Sequence, residues 1–417
     1  MSAPIEVRRA GGSLLLVAGI GLVALNLRTA ITSLGAVLPE VQDGVGMSST
    51  VAGLVTSIGP VCFAVVGVAT PALVRRFDLR VVALLAMSAL TAGLALRSVS
   101  TSSVTFLLTS VLALAGLAVG NVAMPTLVKV YFPDRVGSMT ALYSTALTVG
   151  AATAAAVTVP LGAAFGGWRA GLGLWAVTAG LAVLPWLLTL RRPAPTVEAP
   201  VGVVLGVFAL VRSRTAWAVT ILFGMQALNA YTLLGWLAPL LRDSGWSERG
   251  AGLLLGLYSA IAIPGALVLP VLATRRPNQR AVIVVLVACY LVGYAGLAFS
   301  PGVGALVWVS LAGLGGWLFP LVLVLIPLRA QTASGASALS GFSQSLGYLL
   351  AALGPVLFGA GHEVLGSWQV PVLVLALTMV PALVAGWVCG PPGSVEADLL
   401  GQRPRAALPD TMSVTTR

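Results

Sequence analysis

The stretch ALNLRTAIT, residues 24–32, sets an arginine in the middle of an apolar run that extends from about residue 13 to residue 38. A guanidinium cannot shed its charge at any accessible pH, so burying it calls for a partner or for water. Whether the run is a membrane helix follows from what surrounds it. Of the 417 residues 58% are hydrophobic and only 8% are charged, and the mean hydropathy is +1.01. A soluble domain carries about 25% charged residues, so the composition describes a membrane protein.

A bilayer-spanning helix needs about 20 mostly apolar residues. Runs of that kind fall at about 13–38, 49–73, 80–97, 103–129, 138–163, 169–190, 214–241, 249–273, 280–299, 303–328, 335–360 and 369–390. The chain is therefore expected to be an all-α membrane protein of twelve transmembrane helices. The first run is longer than a signal-peptide core and lacks a small-residue cleavage site, so it reads as the first span. The Val201–Val211 segment is too short to span and reads as a linker.

The net charge of +11 does not point to nucleic acid, because the basic residues sit in twos and threes between apolar runs. With the N-terminus inside, eighteen fall on the cytoplasmic side against four outside (Arg97, Arg169, Arg242 and Arg249), and Arg28 alone lies mid-membrane. This bias predicts both termini in the cytoplasm of a multi-pass plasma-membrane protein.

The halves echo each other. Pro39 and Asp43 recur as Pro239 and Asp243, Arg75, Arg76 and Arg80 as Arg275, Arg276 and Arg280, and Trp168 as Trp368, all at an offset of 200. Gly150 and Gly347 pair at 197. A duplicated six-helix unit marks a two-bundle carrier with its site between the halves. The expected organisation is a cytoplasmic N-terminus (1–12), a first bundle (13–190), a linker (191–213), a second bundle (214–390) and a disordered tail (391–417). A monomer is expected, in contact with lipid and a small-molecule substrate.

Polar residues in spans usually face an interior or a wet cavity. The third, sixth, ninth and twelfth segments are nearly bare of them, which suits helices facing lipid. On a continuous helix Gly21, Ala24, Arg28, Thr32 and Gly35 share one face, with Asn26, Thr29 and Ser33 opposite. The candidate substrate ligands are Arg28, Asn26, Thr32, Asn121, Lys129, Gln226, Asn229, Trp236, Ser343, Gln344 and Tyr348. The candidate gating residues are Arg75, Arg76, Asp78, Arg275 and Arg276. For Arg28 a structural role bonded to helix carbonyls stands against a role as anion ligand. The ligand reading is favoured because no Asp or Glu lies inside any of the twelve runs. Lys129 reads equally as a snorkelling residue or as part of the path. Gln226, Asn229 and Gln344 read equally as interhelix bonds, and Trp236, Trp317 and Tyr348 equally as packing.

Cys62, Cys289 and Cys389 are scattered, giving neither a disulfide framework nor a metal site, and His362 is the only histidine. No nucleophile–base pair or metal set lies in the runs, so neither an enzyme nor a cofactor is expected.

Twelve helices in two related halves resemble the major facilitator superfamily. Within it, LNLRTAITSLGAVLPE (25–40), GNVAMPTLVKVYFPDRVGSMTALYSTAL (120–147), GGWR (166–169), LLGWLAPLLRDSGWS (233–247) and LSGFSQSLGYLLAALGP (339–355) resemble the cyanate and nitroimidazole transporter family. The resemblance covers about residues 13–390. It implies movement of a small solute through a central cavity by alternating access, whether driven by a gradient or facilitated, in either direction. The solute implied is small and anionic or electron-rich, cyanate-like, with Arg28 as central ligand. Export of nitroimidazole-type or other small drug-like compounds is the alternative, and a non-transporting membrane sensor is a remote one. The chain departs from the superfamily pattern in ATPALVRRFDLR (69–80), which has no acid ahead of its arginines; Asp78 follows them. In TVPLGAAFGG (158–167), Val159 stands where drug antiporters carry a glycine.

Overall fold

The computed structural model describes residues 10–190 and 207–401. Among them twelve helices are long and apolar enough to cross a bilayer. They are α1 Leu14–Ala36, α2 Ser49–Val66, α3 Leu79–Ser98, α4 Ser103–Val128, α5 Ser138–Phe165 and α6 Trp168–Thr189, then α7 Arg214–Asp243, α8 Glu248–Arg275, α9 Arg280–Phe299, α10 Ala305–Leu328, α11 Ser334–Leu365 and α12 Gln369–Cys389. Their starts follow local chemistry. Ser102, Ser213, Ser247 and Thr332 each accept a backbone N–H two or three residues on, capping α4, α7, α8 and the helix of α11.

The first six helices form one bundle and the last six another. The bundles meet along α2 against α11, α5 against α8, and α1 against α7. The outer helices α3, α6, α9 and α12 expose Leu85, Leu181, Val285 and Val384, as their lack of polar residues leads one to expect. The duplication is visible in the bonding. Asn26 Nδ2 donates to the carbonyls of Leu22 (2.9 Å) and Thr178 on α6 (3.2 Å), and Thr178 donates to Asn26 Oδ1 (2.8 Å). Asn229 Nδ2 donates to Met225 O (2.7 Å) and to Thr378 Oγ1 on α12 (2.8 Å). Arg80 donates to Thr189 O and Arg280 to Trp387 O, each at 2.8 Å, tying the third helix of each half to its sixth. Gly150 lets α5 approach the carbonyl of Leu25, and Gly347 lets α11 approach Phe223 and Gly224 of α7. Side chains at either would clash.

Several spans are broken near mid-membrane. α8 breaks at Ile261, α10 at Gly316–Trp317 and α12 at Thr378. Trp317 Nε1 donates to the Ile261 carbonyl (2.6 Å), so the break in α10 plugs the break in α8. The break in α1 falls at Leu27 and Arg28. From the clamp residue Asn26 to Pro39 there are thirteen positions, whereas from Asn229 to Pro239 there are ten. Over those thirteen positions the first-half helix is interrupted twice, at Leu27–Arg28 and at Val37, whereas α7 runs through unbroken. Thr29 Oγ1 donates to Asn26 O (3.0 Å), while Arg28 O restarts the helix, accepting the backbone N–H groups of Ile31 (3.2 Å) and Thr32 (3.1 Å) as well as Thr32 Oγ1 (3.1 Å).

The structure departs from two expectations. The single helical face drawn through Arg28 does not exist, because the helix is interrupted there. Arg97, expected at the outer end of the third run, does end α3, and it is fully buried. The segment after residue 390 is not all without structure. A short helix, α13 Val395–Leu399, sets Asp398 against Ser213 Oγ (2.7 Å) and Thr215 N (2.8 Å). It also sets Glu396 against the backbone N–H groups of Gln331 (2.9 Å) and Thr332 (3.1 Å). Two carboxylates thus sit at two helix N-termini, where the macrodipole favours negative charge. Of the expected linker, Val207–Arg212 forms a short 3-10 helix; residues 191–206 and 402–417 lie outside the described residues.

Candidate functional site

Arg28 occupies the break in α1, half-buried, at the seam between the bundles. Its guanidinium carbon lies 5.8 Å from the ring centre of Tyr231 on α7 and 5.5 Å from that of Phe319 on α10. Tyr348 on α11 extends this aromatic wall. It stacks on Phe63 of α2 (5.0 Å) and meets Phe223 (5.0 Å) and Tyr231 (6.2 Å) edge-on. Arg28 is within electrostatic reach of the hydroxyls of Tyr231, Tyr258 and Tyr348. Among the described residues no carboxylate pairs with it, and no side chain or carbonyl accepts a bond from its guanidinium. The Tyr231 Oη beside it is buried without a hydrogen-bond partner, and Gln226 is buried on the same helix. The centre is thus a cation over π-faces with an unpartnered hydroxyl beside it.

The other expected ligands divide. Tyr348 joins the centre. Asn121 is half-buried on α4, and Gln344 is half-buried and donates to Ser340 Oγ (2.7 Å). Asn26, a candidate ligand, and Asn229, read equally as a ligand or an interhelix bond, spend their amides between helices; Tyr294 also donates to Asn229 Oδ1 (2.7 Å). Thr32 and Ser343 are buried and bond back to carbonyls of their own helices, Arg28 O and Leu339 O. Trp236 is buried with its Nε1 on Pro355 O (3.0 Å), in a packing role. The side chains of Lys129 and Arg75 lie outside the described residues. Phe63, Phe223, Tyr231, Tyr258 and Phe319 escaped the sequence reading, because apolar or phenolic rings in a span carry no signal that separates a site wall from packing.

The expected gate residues lie at the end of the bundles that carries the termini. Asp78 is engaged within its own half: its carboxylate pairs with Arg80 (2.6 Å) and caps α3. Those bonds from Arg80 hold the Asp78 carboxyl below the usual carboxylate range. Arg76, Arg275 and Arg276 are exposed, with no bond across the bundles among the described residues.

The bonds between the bundles are at the opposite end. Arg242 pairs with Glu40 of the other bundle (2.6 Å) and with Glu248 of its own (3.0 Å). Burial pushes the Glu40 carboxyl up despite Arg242. Thr50 donates its backbone N–H (2.7 Å) and its hydroxyl (2.8 Å) to Glu363 of the second bundle. Ser57 donates to Ala352 O (2.7 Å). At Gly35 the backbone of α1 presses on the Leu234 carbonyl of α7, so closely that a Cβ would lie 1.9 Å from the oxygen. Among the described residues every hydrogen bond between the bundles belongs to this half of the molecule. These contacts join the two bundles at the end opposite the termini.

A sequence profile of the Major Facilitator Superfamily matches residues 20–352. The 2-nitroimidazole transporter of Escherichia coli (strain K12) is 34% identical over 379 residues, covering 90% of this chain and 95% of that protein. The cyanate transport protein CynX of the same organism is 27% identical over 368 residues, covering 87% and 94%. A bacterial homolog of the human lysosomal transporter Spinster, solved inward-facing and unoccupied, superposes with a TM-score of 0.77 at 16% identity, over 96% of this chain and all of that one. With most of its length matched and its two-bundle architecture shared, the chain belongs to the Major Facilitator Superfamily.

Proposed function

We propose that this membrane transporter moves a small anionic or electron-rich polar solute across the plasma membrane by alternating access, with Arg28 as the central ligand. The observation that carries this reading is the guanidinium at the α1 break, unpaired and lying over the Tyr231 and Phe319 rings. A half-buried cation without a counter-ion leaves its guanidinium fork open to a solute, and one bearing a planar oxyanion or a nitro group completes it. The aromatic faces suit a flat solute body. Both named relatives handle compact solutes with an electron-rich end, a nitroheterocycle in one case and cyanate in the other.

In this reading both termini are cytoplasmic, so the seal at Glu40, Arg242, Thr50 and Glu363 closes the outer side. Residues 13–190 rock against 214–390 to exchange that seal for one at the other end. One chain holds both bundles and thus works as a monomer. Export of a neutral nitroaromatic is a second reading, favoured by the stacked Phe63–Tyr348 pair beside Arg28.

Counterflow in proteoliposomes tests both, with labelled cyanate and labelled 2-nitroimidazole as probes. Arg28→Ala is expected to abolish exchange of the accepted probe and Arg28→Lys to retain part of it. Full exchange by the alanine variant overturns the proposal. Competition by simple inorganic anions separates the anion reading from the nitroaromatic one.

A further inference from the structure

Arg28 is not the only buried guanidinium in the first bundle. Arg97 at the end of α3 is fully buried, and its single hydrogen bond runs from Nη1 to the Ala30 carbonyl of α1 (3.1 Å). Its Nε and Nη2 have no partner, and no carboxylate pairs with it among the described residues. Its guanidinium carbon lies 5.7 Å from the Phe106 ring of α4, which supplies a π-face but accepts no hydrogen bond from Nε or Nη2. Two further buried groups without partners belong to the same three helices: Ser33 Oγ of α1 and Ser110 Oγ of α4.

Their placement converges. A Cβ on Gly93 would lie 2.4 Å from Ala113 N, which puts those two residues of the antiparallel pair α3 and α4 at one height. Arg97 is one turn further along α3, and Ser110 lies about one turn from Ala113 in the same direction, at the same level. Ser33 follows Ala30 by one turn on the same side of α1. The second half has no counterpart: the position 200 residues after Arg97 is Leu297, and Ser310, matching Ser110, bonds back to Leu306 O (2.6 Å).

A permanent charge enclosed without a counter-charge pays a desolvation cost that backbone carbonyls offset only in part. What remains around Arg97 is a set of unpartnered donors on three helices: the N–H of Nε, the two N–H of Nη2 and the two serine O–H groups. Such a set suits a single negative ion. Full burial of all three side chains limits it to a compact one.

We propose that Arg97, Ser33 and Ser110 bind a small inorganic anion of halide size, separate from the Arg28 centre. The ion ties α3 and α4 to the half of α1 that follows the break, and so holds the segment that carries Arg28.

The test is thermal unfolding of the full chain in detergent while chloride replaces gluconate at constant ionic strength. Wild type and Arg28→Ala are expected to gain the same chloride-dependent rise in Tm, and Arg97→Gln to lose it. Ser33→Ala with Ser110→Ala is expected to raise the half-saturating chloride concentration by about tenfold or more, the weight of lost hydrogen bonds to a charged partner. Crystals grown in bromide are expected to give an anomalous peak beside Arg97. A wild-type Tm indifferent to chloride, or an unchanged chloride response in the double serine variant, overturns the proposal. The serine variant also decides the matter if Arg97→Gln does not fold. A chloride response lost in Arg28→Ala would assign the ion to the central site instead and equally overturn it.

Discussion

Arg242→Gln probes the seal at the end opposite the termini. In the sealed state Arg242 Nη1 lies 2.6 Å from Glu40 Oε1, the pair is about a fifth to a quarter exposed, and Glu40 Oε2 is buried without a partner. Removing one member of a buried pair costs about 3–5 kcal/mol. Partial exposure reduces this to about 2 kcal/mol, or about a thirtyfold shift from sealed to open. The sign of the pH effect follows from Glu40. Its carboxyl is raised by burial when sealed and returns to its ordinary range when the end opens to water. The sealed state therefore binds the proton more tightly, so sealing is favoured as pH falls and weakened as pH rises through the raised value. Without Arg242 the carboxyl rises further, and the dependence on pH steepens. Spin labels at the exposed residues Val99 and Val303, after replacement of the three cysteines, report the distance across this end by pulsed double resonance. The variant is expected to populate a longer distance at neutral pH and to recover the short one in acid. An unchanged distribution, or opening that ignores pH, would refute the reasoning.

Three other outcomes follow from the same contacts. Gly35→Val drives a side chain into the Leu234 carbonyl, so the same labels should report an open end and exchange should fall at least about tenfold, with the unfolding temperature little changed. Asn229→Ala removes bonds to Met225, Thr378 and Tyr294; at about 0.6–1.7 kcal/mol per interhelix bond it should lower the unfolding temperature while leaving solute affinity intact. Asp78, held below the usual carboxylate range by Arg80, contributes stability present above its unfolded value and lost as pH falls through its depressed one. Asp78→Asn should remove that acid-side loss from the unfolding profile.

The twelve spans and the duplication were legible because hydropathy and a constant offset of 200 leave a direct trace in the chain. Arg28 was legible because a charge at mid-membrane is rare enough to mark a site by itself. Its break was not, since neither Leu27 nor Arg28 is a glycine or proline and local sequence carries no other sign of an interruption there. The amides of Asn26 and Asn229 stayed ambiguous in the sequence for one reason: polarity in a span marks an interior face, but not whether solute or a neighbouring helix lies there. The seal joins Glu40 to Arg242 and Thr50 to Glu363, pairs far apart in sequence with no periodic signature. The burial of Arg97 was not legible, because an arginine at a helix end carries no sign of whether neighbouring helices cover it.

The central claim is that Arg28 holds the solute, and equilibrium binding to the purified chain in nanodiscs tests it most directly. Two charge-assisted bonds to one guanidinium contribute about 3 kcal/mol, so Arg28→Ala should weaken binding of the transported probe, cyanate or 2-nitroimidazole, by about a hundredfold. The same variant should keep its wild-type unfolding temperature within a few degrees. A dissociation constant within twofold of wild type would contradict the account.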